Sequence, residues 1–359
     1  MSSVDVRWFM RNQIPSDRVF VIAEIGVNHN GDVKLAERMI IEAGRCGADA
    51  VKFQTYRTAH STSSRAKKAA YQLANSGNTE ESYGGMLADM ELSREDHVTL
   101  KAVAEKAGMV FFSKPADPFS VDLLESIGVE LYKIGSSDIT NLPLIRHVAK
   151  KGKPIILSTG MATLEEVSRA VQAVEELSSQ DLYLLHCTSE YPCPFSDVNL
   201  RAMQTLEAAF GKTVGYSDHT LGIEVSVAAV AMGARIVEKH FTLDRTQPGP
   251  DHKASLEPDE FRRMVDAIRH VEAALGDGIK RPAKSELSNI DTMRRSVVAA
   301  RDLPAGTVIG PDDVTIKRPG TGIAPGDVEK IVGLKLVRAV PFDEAVTWSH
   351  FTSETREPK

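Results

Sequence analysis

Residues 214–240 read VGYSDHT, then LGIEVSVAAVAMGA, then RIVEKH. Two short apolar runs each close on a polar cluster with one histidine, His219 or His240, and between them lies an Ala- and Val-rich segment from Gly222 to Gly233. That segment is long enough for one crossover helix. A strand–helix–strand unit of this kind makes the two strands parallel, so both histidines arrive at the same edge of the sheet. Two converging imidazoles make a candidate metal site.

Upstream the rhythm repeats. Near-continuous apolar runs, as in strands buried on both faces, place strands at 18–25, 50–54, 109–113, 130–134, 154–158 and 182–187. Helical spacing follows most of them, and a last helix is expected over 258–275. Ser93 and Asp96 form a capping box that opens a helix to Ala107. The stretch 55–92 is irregular, with a helix expected over 65–73 and turns over 75–83; a loop of that length is functional or mobile. Eight strand–helix units close a (β/α)8 TIM barrel over 18–276. The other arrangement of such units is an open doubly wound sheet, but no Gly-x-Gly-x-x-Gly follows the first strand. Residues 1–17 read as a polar arm and 277–290 as a linker. Over 291–355 short strands at 296–301, 314–317 and 335–340, with a short helix from Ala324, predict a small, mostly-β domain.

The composition narrows the function classes. With 359 residues and a net charge of −6, the chain has no basic excess for nucleic acid. Three cysteines cannot form an even disulfide framework, which fits a reducing cytoplasm. No apolar run is long enough for a membrane span, and the first residues lack the apolar core of a signal peptide.

In a barrel, chemistry sits at the carboxyl ends of the strands. Those ends supply Glu24, Lys52, Gln54, Lys114, Lys133, Ser136, Asp138, Ser158, His186, Ser189, Tyr191, Ser217, His219, Glu238 and His240. Lysines on strands buried on both faces require anions, because an uncompensated buried charge is expensive. Lysines with several hydroxyls suit phosphate and carboxylate together. The residues alone therefore predict a metal held by His219 and His240, an anion pocket of Lys52, Lys133, Ser136, Ser158 and Ser217, and a carboxylate, Glu24, for proton transfer. A metal hydrolase on the same barrel would normally carry more carboxylate or histidine ligands and would need no lysine pair. A non-enzymatic reading, with the last 65 or so residues as a binding module, leaves those lysines unexplained.

Over residues 18–352 the chain resembles the sialic acid synthases. The resemblance rests on AEIGVNHNGD (23–32), VKFQT (51–55), YKIGSSD (132–138), STGMA (158–162), LHCTSEYP (185–192), GYSDHTLG (215–222), EKHFT (238–242), PGPDHKAS (248–255) and KRPGTGI (317–323). It implies condensation of phosphoenolpyruvate with an N-acylated mannosamine-type aldose such as N-acetylmannosamine. The products are a nine-carbon 2-keto acid (N-acetylneuraminate) and phosphate, released by C–O cleavage of a tetrahedral intermediate. It also implies Mn²⁺ (or Mg²⁺ or Co²⁺) on His219 and His240, polarising the aldehyde, with Glu24 as acid/base. Phosphoenolpyruvate would lie on Lys52, Lys133, Ser136, Ser158 and Ser217, and the sugar on Gln54, Ser189, Tyr191 and Asp251. Arg318 would come from the partner chain of a domain-exchanged homodimer, on a C-terminal antifreeze-like SAF (β-clip) domain. Three positions depart from the pattern. Lys114 replaces the Thr of Ser-Thr-Pro, Asp138 stands where many members have Glu, and Ser189 where N-acetylneuraminate enzymes often have Asn. Ser189, the Tyr71-Gln72 stretch and residues 248–255 look more like legionaminate synthases, whose sugar is a 2,4-diacetamido-6-deoxyhexose.

Overall fold

Alternation along parallel strands decides what this protein buries and where. The computed structural model describes residues 18–76 and 82–351; the expected arm at 1–17 lies outside them, as does part of the expected turn region at 75–83. Eight parallel strands close a barrel in sequence order. They are β1 (Phe20–Gly26), β2 (Ala50–Thr55), β3 (Val110–Pro115), β4 (Tyr132–Ile134), β5 (Ile155–Ser158), β6 (Leu182–His186), β7 (Val214–Asp218) and β8 (Ile236–His240). β1 is hydrogen-bonded to both β2 and β8, so the sheet is closed and not doubly wound.

The chain's helices follow in order: α1 (Val33–Arg45), α2 (Thr58–Ser61), α3 (Ala70–Ser76), α4 (Tyr83–Ala88), α5 (Arg94–Lys106), α6 (Pro118–Ser126), α7 (Leu142–Ala149), α8 (Leu164–Glu175), α9 (Ala202–Phe210), α10 (Glu224–Ala231) and α11 (Pro258–Leu275). Side-chain caps set the starts of several of them. Asp32 caps α1 by accepting from Lys34 N and Leu35 N, and the Ser93/Asp96 box opens α5. The helix expected over 65–73 begins only at Ala70. Before it, Ser61 Oγ bonds Arg57 O and Ser63 Oγ accepts from Arg65 N, local bonds that compete with a helix. Gln72 Oε1 then accepts from Ala69 N, where α3 opens.

Each strand serves two cores. Outward residues such as Val21, Val51, Phe111, Leu157, Leu184 and Val237 pack with helix residues such as Met39, Ile40, Leu100 and Phe261. Inward residues form a second cluster: Phe20, Ile22, Ala50, Val110, Phe112, Leu131, Ile156, Tyr183, Leu185 and Ile236. Two residues further along those strands, period two places Glu24, Lys52, Lys114, Lys133, Ser158, Cys187 and Glu238 on the same inward face. The apolar plug thus ends in a polar layer at the carboxyl ends of the strands.

A second compact unit starts at Asp277. Part of the expected linker is helical, α12 (Leu287–Met293). β9 (Ser296–Ala299) pairs antiparallel with β10 (Val314–Lys317), and a short helix α13 (Val328–Ile331) follows. The third strand expected at 335–340 is only a pair of isolated bridges. Its amides are spent on separate partners: Leu336 N on Thr307 O, Val337 N on His350 O and Val340 N on Leu303 O. Val297, Ala299, Leu303, Ile309, Ile323, Ile331, Leu336, Val340 and Val346 form this unit's core. Among the described residues, no helix is long and apolar enough to cross a membrane.

Residues 214–240 carry a buried ion pair on the outward face of the strands. Lys239 Nζ sits 2.9 Å from Asp218 Oδ2, both side chains fully buried, and donates to Thr220 O at 2.5 Å. Asp218 also accepts from Thr220 N, Thr220 Oγ1 and Ser226 Oγ. The pair locks together the strand ends that carry His219 and His240. Asp218→Ala should strand the Lys239 charge and destabilise the barrel by about 3–5 kcal/mol. The drop would be read as a lower denaturant midpoint, and Asp218→Ala with Lys239→Met should recover most of it.

Candidate active site

The polar layer is built around one carboxylate. Glu238 receives both Lys133 contacts, Nζ to Oε1 and Oε2 at 3.0 Å. Its Oε1 also accepts from Ser217 Oγ at 3.0 Å and lies 3.2 Å from Lys52 Nζ. Lys52 reaches in addition Glu24 Oε2 at 3.1 Å. Register explains the convergence. Glu24 stands between Lys52 on β2 and His240 on β8, and Ser217 faces Glu238.

Burial and charge split the two carboxylates. Burial raises the Glu24 pKa to about 7, against the pull of Lys52 and with the help of Glu238. Burial also pushes Glu238 upward, but Lys133 and Lys52 together hold it well below the usual carboxylate range. One carboxyl group therefore stays ionised while its neighbour keeps a proton near neutrality. Burial lowers Lys133, opposed by Glu238, whereas Glu238 and Glu24 outweigh burial at Lys52 and raise it.

The layer floors a cavity of about 350 Å³. Lys52, Gln54, Lys133, Ser136, Ser158, Ser189, Tyr191, Ser217, His219, His240 and Asp251 all line it, together with Glu24. The barrel residues expected at the site are thus brought together. Arg318 lies in the second unit, exposed, just after β10. Ser136 Oγ accepts from Gly160 N at 3.0 Å. A β-carbon on Gly160 would lie 2.5 Å from Ser189 Oγ and 2.8 Å from Ser136 Oγ, so only glycine lets these groups converge. Ser158 Oγ is buried with no hydrogen-bond partner among the described residues.

Both histidines pack against Tyr191, His219 in a tilted arrangement and His240 edge to face. Ring centroids lie 4.2 Å apart for Tyr191 and His219, 5.6 Å for Tyr191 and His240, and 5.5 Å for the two histidines. Burial lowers the His219 pKa to about 4 and that of His240 well below its ordinary value, so both rings are neutral at pH 7. His219 Nδ1 hydrogen-bonds Thr188 O at 2.6 Å, which directs Nε2 to act as acceptor or ligand. Among the described residues His240 Nδ1 is buried without a hydrogen-bond partner, and it lies 4.0 Å from Asp251 Oδ2. Burial raises Asp251 to about 6, with Lys52 opposing. Among the described residues no three His, Cys, Asp or Glu side chains cluster as a closed metal cage. The donor set fits an ion held by two neutral imidazoles with its remaining positions open to water and substrate.

Some of the site depends on contacts between distant segments. Glu238 was visible as a strand-end residue, and its place two residues before His240 puts it inward, yet its role as shared counter-ion depends on three other strands. The irregular stretch after β2 supplies Tyr71, Gln72, Tyr83, Met86 and Leu87 to the wall. Tyr71 stacks on Tyr191 at 4.9 Å, and Asn75 Nδ2 donates to Pro250 O. Loop length and the likeness of the Tyr71-Gln72 stretch to legionaminate synthases were the signals for this part.

Comparison with known proteins agrees with the geometry. N,N'-diacetyllegionaminic acid synthase of Campylobacter jejuni is 46% identical over 331 residues, 92% of this chain and 99% of that protein. N-acetylneuraminate-9-phosphate synthase of Homo sapiens is 38% identical, with 91% of each chain covered. The crystal structure of N-acetylneuraminic acid synthetase from Leptospira borgpetersenii superposes with a TM-score of 0.68 at 37% identity, covering 78% of this chain and 93% of that one. Residues 294–352 match the SAF domain, and residues 39–280 match the NeuB family. With its barrel, its SAF domain and these relatives, the chain is a synthase of the NeuB family.

Proposed function

We propose that the protein condenses phosphoenolpyruvate with an N-acylated mannosamine-type aldose, N-acetylmannosamine first among them, to give a nine-carbon 2-keto sugar acid and phosphate. One observation carries this reading. Two fully buried lysines and the unpartnered Ser158 hydroxyl share one cavity with two neutral histidines and a carboxyl group that titrates near 7. Lys52 and Lys133, with Ser136, Ser158 and Ser217, would hold the phosphate and carboxylate of phosphoenolpyruvate. Gln54, Ser189, Tyr191 and Asp251 would orient the aldose. His219 and His240 would hold Mn²⁺ (or Mg²⁺ or Co²⁺), which supplies Lewis-acid polarisation of the aldehyde when bound. Protonated Glu24 would deliver a proton to the aldehyde oxygen as the carbon–carbon bond forms. Water then adds at C2, and phosphate leaves with C–O cleavage. Arg318 would reach the N-acyl end from the partner of a domain-exchanged homodimer, acting in the cytoplasm, where three free cysteines stay reduced.

A 2,4-diacetamido-6-deoxy sugar is the second reading. Val27, Met86 and Leu87 in the cavity wall would suit a methyl terminus.

Purified protein with phosphoenolpyruvate, Mn²⁺ and N-acetylmannosamine or the diacetamido sugar should release phosphate only when a sugar is present, and product mass identifies which. His240→Ala should abolish both that release and calorimetric Mn²⁺ binding; full activity would refute the metal role. Because burial raises Glu24, its proton persists to about pH 7 and is lost above. Turnover should therefore fall as pH rises through 7, and Glu24→Gln should remove that limb and cost about 10²–10⁴-fold in kcat. Stability runs the same way. The folded chain keeps a proton that the unfolded chain releases above about pH 4.5, so this group's contribution declines from there towards pH 7. Arg318→Ala should raise KM for the sugar and leave that for phosphoenolpyruvate nearly unchanged; the reverse pattern would remove Arg318 from the sugar site.

A further inference from the structure

Two of the departures from the sialic acid synthase pattern touch each other. Lys114 lies on the inward face of β3, two residues beyond Phe112 of the barrel plug. In register it stands beside Gln54, and both line the cavity. Its stem crosses Gly135, where a β-carbon would lie 3.0 Å from Lys114 Cε, so the missing side chain gives the lysine its path. The ammonium ends 2.6 Å from Asp138 Oδ2. Asp138 closes the 3-10 turn that begins with Ser136, and its Oδ2 also accepts from Ser137 Oγ at 3.1 Å. The two side chains are 16% and 12% exposed, and of the two it is Lys114 that lines the cavity.

Charge accounting gives this pair a purpose. Among the described residues lining the cavity, the cations are Lys52, Lys114 and Lys133, with no arginine. Lys52 and Lys133 are committed to Glu24 and Glu238, and in the reaction to phosphoenolpyruvate. Lys114 is neutralised by Asp138. A second phosphate entering on the sugar would meet no unpaired lysine in this lining, and at Lys114 it would meet a charge already neutralised by Asp138. An uncharged acceptor fares differently. The ammonium carries three N–H donors and Asp138 occupies one, so donors remain for a carbonyl or hydroxyl oxygen. A site built to donate a hydrogen bond discriminates strongly against a ligand that cannot satisfy it.

We infer that Lys114 and Asp138 form a specificity-determining pair. Lys114 donates to an uncharged oxygen of the aldose, an acylamino carbonyl or a hydroxyl, and the neutrality of the pair excludes a phosphorylated aldose. The inference rests on the reaction proposed above and concerns only its acceptor.

The test compares wild type, Lys114→Met and Asp138→Asn. Each is assayed with phosphoenolpyruvate, Mn²⁺ and either N-acetylmannosamine or its 6-phosphate. Wild type should prefer the unphosphorylated sugar by at least about tenfold in kcat/KM, a difference of about 1.4 kcal/mol. Lys114→Met should raise KM for N-acetylmannosamine about tenfold, the same scale, and leave KM for phosphoenolpyruvate within about twofold. Asp138→Asn is nearly isosteric and frees the lysine charge, so it should shift the preference towards the 6-phosphate by about tenfold or more. Unchanged sugar KM in Lys114→Met overturns the pair, as does an equal rise in KM for phosphoenolpyruvate or a wild-type preference for the 6-phosphate. Failure of wild type to release phosphate with either sugar is a separate result, which overturns the reaction assignment and the pair with it.

Discussion

A single buried carboxylate, shared by two lysines and a serine, is the constraint on which the barrel's polar layer depends. Glu238 alone would be expensive at this depth, and so would Lys52 or Lys133 alone. Together they form a cluster in which two ammonium groups share one carboxylate, which leaves a net positive charge for an anionic ligand while Glu24 is protonated. Phosphoenolpyruvate would compete with Glu238 and Glu24 for the lysine donors, so it enters a pocket organised by charges like its own. The cross-strand contacts hold the donors and acceptors in place before a ligand arrives, which is the condition for electrostatic preorganisation. The split between an ionised Glu238 and a protonated Glu24 follows from the same sharing, since Glu238 takes most of the positive charge.

The barrel was legible because its signals are local and repeated. Apolar runs recur eight times and helical spacing follows most of them, and period two then dictates which strand-end residues face inward. Glu24, Lys52, Lys133, Ser158, Ser217 and the two histidines are legible as polar residues at strand carboxyl ends, and they line one cavity. The part between β2 and α5 was not legible, because serine and threonine side chains there trade hydrogen bonds with the nearby backbone and no hydrophobic period survives. Its contribution of Tyr71, Tyr83 and Met86 depends on tertiary contacts such as Tyr71 on Tyr191. The third strand of the small unit failed for a related reason. A sequence with strand-like composition still needs one continuous neighbour, and the amides of 335–340 have several.

Pairing of residues across strands is the other kind of information a sequence hides. Lys114 and Asp138 were each noticed as departures, one as an added charge and the other as a shortened side chain. Only their 2.6 Å contact turns two isolated oddities into one neutral unit. The histidines show the same lesson on the metal side. Their proximity was readable from a βαβ unit, whereas the Thr188 carbonyl that fixes the His219 tautomer comes from a different strand end.

The register of β1 has a consequence for biosynthesis. Glu24 sits between Lys52 on the second strand and His240 on the last. Its neighbours are thus made at opposite ends of the barrel's translation, and the ribosome must finish strand eight before the carboxylate acquires both. No nascent barrel can assemble this environment early. Ligand affinity would report closure of the ring, and a molecule that binds there would stabilise only the closed state, by mass action. Substrate in the cell would then act as a late check on barrel completion, drawing newly made chains towards the closed form.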